Sequence, residues 1–450
     1  MKGHNSRVCG ALAAVVGALL AVAAPGTALA QYQSPPPSSA KMPAPQPDSK
    51  KKAEEPVTGA EFSKEFRKQA SKVQKLVTDA KWAEVLAALP ALEALPSLNK
   101  DEIKVLATWR LQATQATGDT EAFIAVLELF LKEGYATPEQ IGPMNQQLAA
   151  NYNAKKDRVK TLQHYRLFID ATPDADANEL ETLGRLYLQN ANYAEAAQWL
   201  GKAIDVGGRG GAVPPEPLFQ LRDKCFVELK DPQQRLDNLE ALVKLYPNKE
   251  YYSRIVAIYQ TGTRDERVVM LNAYRLAVTD PQGGLATVGG YLGYADTALV
   301  AGSPGEAARG LERGMKDGVV PSVGSNQVAL QDAKAAVVVD RKNLPADSAA
   351  AAKNPKGEFD VKVGLGYYSA GDYEKTIEVV QRGIAKGGVG RLDDANLLLG
   401  AALLELGRRD EARAAFQAAA VAAGGNTHMA RIAGMWLARV ERMTPAPAGG

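Results

Sequence analysis

Cysteine is nearly absent from this 450-residue chain; Cys9 and Cys225 are its only two. Cys9 lies in an apolar N-terminal stretch, so the rest of the chain has one thiol and no intrachain disulfide to brace it. Histidine is equally scarce, at three. Downstream of the N-terminus, His164 and His428 have no metal-ligating neighbour at i±3 or i±4. There is no His-Glu-x-x-His, so no metal site is expected. Excess charge is missing too. Without residues 1–30, which hold two basic and no acidic side chains, acids and bases balance at 51 each. No excess charge therefore favours nucleic acid or acidic polymers. After the first 30 residues no apolar run approaches the roughly 20 residues a membrane-spanning helix needs.

What is there begins at the N-terminus. Lys2 and Arg7 precede an apolar run from Val8 to Ala24, and Ala28-Leu29-Ala30 puts small residues where a signal peptidase reads. Residues 1–30 therefore read as a cleavable secretory signal, with the mature chain starting at Gln31. Cys9 precedes most of the apolar run instead of following it, which argues against a lipid anchor. Residues 31–56 carry Pro35-Pro36-Pro37, Pro43, Pro45, Pro47 and Lys50-Lys51-Lys52. They read as a disordered Pro/Lys-rich linker, since little there could bury apolar surface.

From Thr58 the pattern is helical almost without pause. Thr58 to Glu61, Asn99 to Glu102, Thr137 to Gln140 and Ser303 to Glu306 fit capping boxes or close variants. Pro138, Pro232 and Pro304 stand at first helical positions. One spacing recurs: Leu183, Gly184, Tyr187, Tyr193, Ala196, Leu200, Ala203; then Val363, Gly364, Tyr367, Gly371, Tyr373, Val380, Gly383; then Leu399, Gly400, Leu403, Gly407, Ala412, Phe416, Ala419. The offsets agree, and they suit a helix–turn–helix unit of about 34 residues that buries its apolar face only by stacking on neighbours. In this reading Gly184 and Ala196, or Gly400 and Ala412, are the small residues at which the two helices of a hairpin approach.

These motifs resemble the tetratricopeptide repeat. Weaker units surround Tyr152, Phe226, Ile255 and Ala298, so the resemblance covers roughly residues 58–440. It implies an all-α fold, an α-solenoid of antiparallel helix hairpins forming a tetratricopeptide-like superhelix. Helical repeats are expected over 57–320 and a helical and loop connector over 321–357. Val337-Val338-Val339 reads there as the end of a buried helix, and the sequence leaves open whether this stretch breaks the solenoid. C-terminal repeats with a solitary capping helix fill 358–440, followed by a flexible tail, 441–450. The glycine-rich run Gly207 to Gly211 reads as a lengthened loop, because no Lys-Ser/Thr follows to make it a phosphate site.

No catalytic constellation emerges and no cofactor is called for. Cys225 adjoins the packing residue Phe226 and reads as a buried thiol. His164 and His428 read as surface or capping residues. The resemblance implies a concave surface lined by the first helix of each hairpin. On it fall Gln146, Asn153, Arg185, Gln189, Gln220, Lys224, Glu228, Tyr252, Tyr259 and Gln260, side chains suited to a peptide or a polar polymer. The chain is also similar to a group of exported bacterial envelope tetratricopeptide proteins, a likeness that brings no substrate with it. The reading is a non-catalytic, periplasmic or secreted scaffold that binds a protein or peptide partner in the cell envelope. It has no transmembrane span after signal cleavage. The alternative is an accessory factor for envelope polysaccharide synthesis or export, which exposed Tyr252 and Tyr259 would favour.

Overall fold

The computed structural model describes residues 62–262, 266–425 and 427–443. The signal segment, the Pro/Lys linker, the Thr58 to Glu61 cap and all but the first residues of the tail lie outside that range. Twenty α-helices and no strand occur among the described residues. They fall into two compact units, divided between Gly207 and Gly208. The division lies at the glycine-rich run.

Unit 1 holds α1 (Lys64–Thr78), α2 (Trp82–Glu93), α3 (Lys100–Thr117), α4 (Thr120–Lys132), α5 (Pro138–Ala154), α6 (Arg158–Asp170), α7 (Ala177–Gln189) and α8 (Tyr193–Gly207). Consecutive helices pack as antiparallel hairpins, and each hairpin packs on the next. At the start of α3, Asn99 and Glu102 close a reciprocal capping box. The second carboxylate oxygen of Glu102 accepts the Ser63 N–H at 2.7 Å, which ties the entry of α1 to the entry of α3. Burial pushes the Glu102 carboxyl up, but the backbone N–H groups of Asn99 and Ser63 outweigh that and hold it below its usual range.

Unit 2 begins with a single 3₁₀ turn, Arg209–Gly211. It continues through α9 (Glu216–Glu228), α10 (Pro232–Leu245), α11 (Lys249–Gly262), α12 (Arg267–Thr279), α13 (Val288–Val300), α14 (Pro304–Lys316), α15 (Ser325–Lys353), α16 (Glu358–Ser369), α17 (Tyr373–Lys386), α18 (Leu392–Glu405), α19 (Arg409–Ala422) and α20 (Thr427–Met443). Within the expected connector, 321–357, Ser325–Lys353 form one continuous 29-residue helix, α15, with non-helical residues at either end. Pro345 stands inside it. Val338 and Val339 are mid-helix and about 60% exposed, not the end of a buried helix.

One turn joins the helices of the hairpins in both units. A residue with positive φ stands two positions before the first residue of the second helix at Ala80, Gly118, Lys156 and Ala191 in unit 1, and at Lys230, Gly302, Gly371 and Gly407 in unit 2. The next residue is an N-cap whose backbone N–H reaches back across the turn. Asp157 donates to the Tyr152 carbonyl at 3.0 Å, Asn192 to Tyr187 at 3.0 Å and Asp372 to Tyr367 at 2.9 Å. These bonds satisfy carbonyls that the ending helix leaves open. At Asp119, Asp157, Asp231 and Asp372 the carboxylate in turn accepts the N–H three residues on, starting the next helix.

The recurrent glycines lie where the hairpins are tightest. A Cβ on Gly184 would meet Leu200 Cγ at 2.8 Å; on Gly364 it would strike Val380, and on Gly400 the ring of Phe416. The offset is 16 residues each time. The large residue of the second helix therefore sits on the glycine. Ala196 and Ala412 are buried but are not the facing partners. With this geometry repeated across both units, the chain is an all-α protein of tetratricopeptide-type helix hairpins.

Unit 2 departs from an open stack. Its last helix, α20, packs on α19 and also returns to α10 and α12. In α12 every residue from Val269 to Val278 is buried, and in α18 every residue from Ala395 to Leu404. A helix buried on all sides is normally apolar, yet α12 places Asn272 and Arg275 in that interior. Arg275 donates Nε to Glu306 Oε1 at 2.7 Å and Nη2 to Oε2 at 2.8 Å, and both residues are 1% exposed. Tyr294 Oη and Ser303 Oγ also donate to the Glu306 carboxylate, at 3.0 and 2.8 Å. Arg275 Nη1 donates to Asn272 Oδ1 at 2.8 Å, and Asn272 Nδ2 to Asp394 Oδ1 at 2.7 Å. Burial alone would push the Glu306 carboxyl up, but the Arg275 charge and hydrogen bonds bring it below its usual value.

Candidate interaction surface

The ten residues read as groove-lining divide between the two units. In unit 1, Gln146 is exposed and Asn153 half-buried on α5, two helical turns apart on one face. Arg185 and Gln189 are exposed one turn apart on α7. Arg185 donates Nε to Glu181 Oε1 at 2.7 Å, which fixes its guanidinium along the helix. Each of these two first helices thus offers amide or guanidinium groups to solvent.

In unit 2, Gln220, Lys224 and Glu228 are exposed along α9. Gln220 Nε2 donates to Tyr251 Oη at 2.8 Å. Gln260 is exposed at the end of α11 and its amide donates to Tyr274 Oη. Tyr252 and Tyr259 correct the expectation. They are 2% and 1% exposed, so neither presents a ring to a ligand. Tyr252 Oη donates to Asp280 Oδ2 at 2.8 Å, and Arg442 of α20 reaches the same oxygen at 2.7 Å. The Tyr259 ring meets His428 of α20 edge-on at 5.3 Å. Burial pushes both phenols well above their usual range.

The seam between α20 and α10–α12 went unread in the sequence. Arg431 donates Nε to Glu240 Oε1 at 2.6 Å and also pairs with Asp237. Arg439 donates to the Thr279 hydroxyl and carbonyl, both at 2.8 Å, and Arg442 to the Val243 carbonyl at 3.1 Å. Three arginines on one helix were the available signal. Nothing local assigned them to partners 160 to 199 residues earlier in the chain.

The chemistry-bearing residues are packed into structure. Cys225 is fully buried, and burial pushes its thiol up to about 11, which withholds the thiolate a nucleophile needs. His164, read as a surface or capping residue, is 8% exposed. It shares a 3.0 Å hydrogen bond with Asn145 Oδ1 and stacks on Tyr152 at 5.5 Å and 7°. Tyr152 donates Oη to Glu128 and accepts from Lys160 Nζ at 2.8 Å. No group of three or more His, Cys, Asp or Glu that could hold a metal occurs among the described residues.

His164 gives unit 1 a pH dependence of definite sign. Burial lowers its pKa from the ordinary 6.5; Glu128 opposes the shift and Lys160 adds to it. The imidazole is neutral in the fold, whereas the unfolded chain takes up a proton below about 6.5. Stability from this group is therefore complete above that pH and falls as the pH drops. In urea unfolding, the midpoint should decline between about pH 7 and 5.5 in the wild type and less steeply in His164→Gln, which keeps a donor for Asn145 but does not titrate. Equal slopes for the two proteins would refute the assignment. Taking the difference between them cancels Glu240 and Asp394, whose burial raises their own pKa values.

The sequence matches no protein-family model and no curated protein. Solved structures resemble it only distantly. A tetratricopeptide repeat protein from Parabacteroides merdae is 12% identical, with 66% of this chain and 99% of that one covered and a TM-score of 0.26. The TPR2AB domain of yeast Sti1, in a complex with pHSP90, is 9% identical over 67% and 99%, with a TM-score of 0.22. The apo form of RapI is 10% identical over 79% and 97%, with a TM-score of 0.21. Likenesses this distant say nothing about ligands, and the class rests on the hairpin geometry itself.

Proposed function

We propose that the chain is an exported, non-catalytic scaffold that binds a protein or peptide partner in the bacterial cell envelope. The observation that carries this reading is the pair of first helices in unit 1, α5 and α7. Their Gln146, Arg185 and Gln189 are exposed to solvent and Asn153 is half-buried beside them, while the opposite faces form the core. Amides and a guanidinium along parallel rows suit the backbone and polar side chains of a bound segment. The non-catalytic part is supported by the packing of Cys225 and His164 into the core. Export and the envelope location are supported by the N-terminal signal pattern, and with cleavage before Gln31 the mature chain is periplasmic or secreted. Burial of Tyr252 and Tyr259 withdraws the feature that favoured a polysaccharide ligand.

The test is photo-crosslinking in intact cells from residues 146 and 189, with residue 84 as an exposed control on α2. Discrete adducts from 146 and 189 but not from 84, on a mature protein beginning at Gln31, are the expected result. Equal adducts from all three positions, or a retained Met1, would defeat the proposal.

A further inference from the structure

A different surface in unit 2 carries a sharper statement. α15 and α16 are consecutive antiparallel helices, and a furrow of about 530 Å³ runs between them. On α15 its wall is Asp340, Leu344, Asp347 and Ala351, at i, i+4, i+7 and i+11, which is one face of a helix. On α16 it is Phe359, Val363 and Gly366, at i, i+4 and i+7. Gly366 is what opens the floor, because a Cβ there would come within 2.6 Å of Leu344 Cδ2.

The furrow is apolar at the bottom and acidic at the rim. Leu344 is buried, Val363 half-buried, and the Phe359 ring 47% exposed although it lies beside the core. Asp340 and Asp347 form no ion pair or hydrogen bond among the described residues. The one cation in the lining, Lys362, rests over the Phe359 ring at 6.0 Å on the opposite wall. Two unpaired carboxylates two helical turns apart stand about 10.5 Å from one another along α15. They flank an apolar slot whose 11-residue length is about 16 Å, three turns of helix. A slot between two antiparallel helices is the seat of a third helix in a bundle.

We propose that this furrow docks an amphipathic cationic helix: apolar residues at i and i+3 or i+4 enter over Leu344 and Phe359, and Lys or Arg residues two turns apart meet Asp340 and Asp347. The charge pattern selects this occupant. An acidic or neutral helix would leave both aspartates unpaired beneath it. The furrow shares no lining residue with α5 or α7, so either proposal can fail while the other stands.

The probe is a fluorescein-labelled 14-residue helical peptide with lysines seven residues apart around two leucines, titrated with the full chain and followed by anisotropy. Its partner probe has glutamate in place of each lysine. Saturable binding of the lysine peptide alone is expected. Asp340→Lys combined with Asp347→Lys should weaken it at least tenfold. Phe359→Ser should weaken it without changing its salt dependence. Asp410→Lys, at a fully solvent-exposed carboxylate on α19, should leave it unchanged. Asp347, Phe359 and Asp410 are exposed and Asp340 is half-buried at the rim, so circular dichroism should show each variant folded. Equal binding of both peptides, no saturable binding, or undiminished binding by the double variant would overturn the proposal. So would a wild-type dimer that the double variant abolishes, since the furrow would then be a contact between copies.

Discussion

Glu306→Ala should be among the most destabilising single substitutions in unit 2, costing about 3–5 kcal/mol. The substitution leaves Arg275 charged, 1% exposed and without its bidentate carboxylate in the middle of α12. It also strands the Tyr294 and Ser303 hydroxyls that donate to that carboxylate. An ion pair at such depth is not in itself a large source of stability, because desolvating both charges offsets most of their attraction. The distinguishing outcome lies in the double variant Arg275→Met with Glu306→Leu. It should recover part of the loss, since apolar residues of similar volume fill the site without an unpaired charge, while the Tyr294 and Ser303 hydroxyls stay without their acceptor. Urea unfolding of the two single variants and the double variant gives the coupling energy directly. A Glu306→Ala protein within 1 kcal/mol of the wild type would show that water reaches Arg275 and that the interior of unit 2 is open there.

Trp436→Ala should cost a similar amount, about 3–5 kcal/mol, by opening a cavity beneath α20. Trp436 is 1% exposed, stacks on Phe416 at 5.0 Å and 14°, and has the Arg439 guanidinium over its ring at 4.9 Å. Loosening α20 should release Arg431, Arg439 and Arg442 together, and with them the cover over Tyr252 and Tyr259. The readout is therefore twofold. The unfolding midpoint should fall, and tyrosine fluorescence quenching by acrylamide should rise under native conditions. A lowered midpoint with no added quenching would mean that α20 contributes stability without covering α11.

The repeat was legible because it is a local steric code. Gly184, Gly364 and Gly400 sit 16 residues before Leu200, Val380 and Phe416, and that spacing is set by one hairpin alone. Capping was legible for the same reason. Asn99 and Glu102, or Asp157 and the Lys160 N–H it accepts from, are three residues apart and answer to no distant partner. Cys225 could be placed by its neighbour Phe226. Within the candidate surface, Gln146, Arg185 and Gln189 needed only helix phase to be set facing solvent.

Tyr252 and Tyr259 have the same phase and were misplaced by the same logic. Their burial is decided by α20, whose Arg442 and His428 lie well over 150 residues away in sequence. Helix periodicity tells which residues share a face; it does not tell what covers that face. The run from 321 to 357 shows the same limit from the other side. Its alanines and Pro345 permit either helix or loop, and packing of the run against α14 and α16 selects a single 29-residue helix. Sequence alone thus determined the hairpins, their turns and their tight contacts, since each involves residues within about one repeat. Which faces remain open, where Arg275 finds Glu306 and how unit 2 returns on itself were decided only by tertiary structure. Those depend on how small rotations between neighbouring hairpins accumulate, and no single repeat encodes that sum.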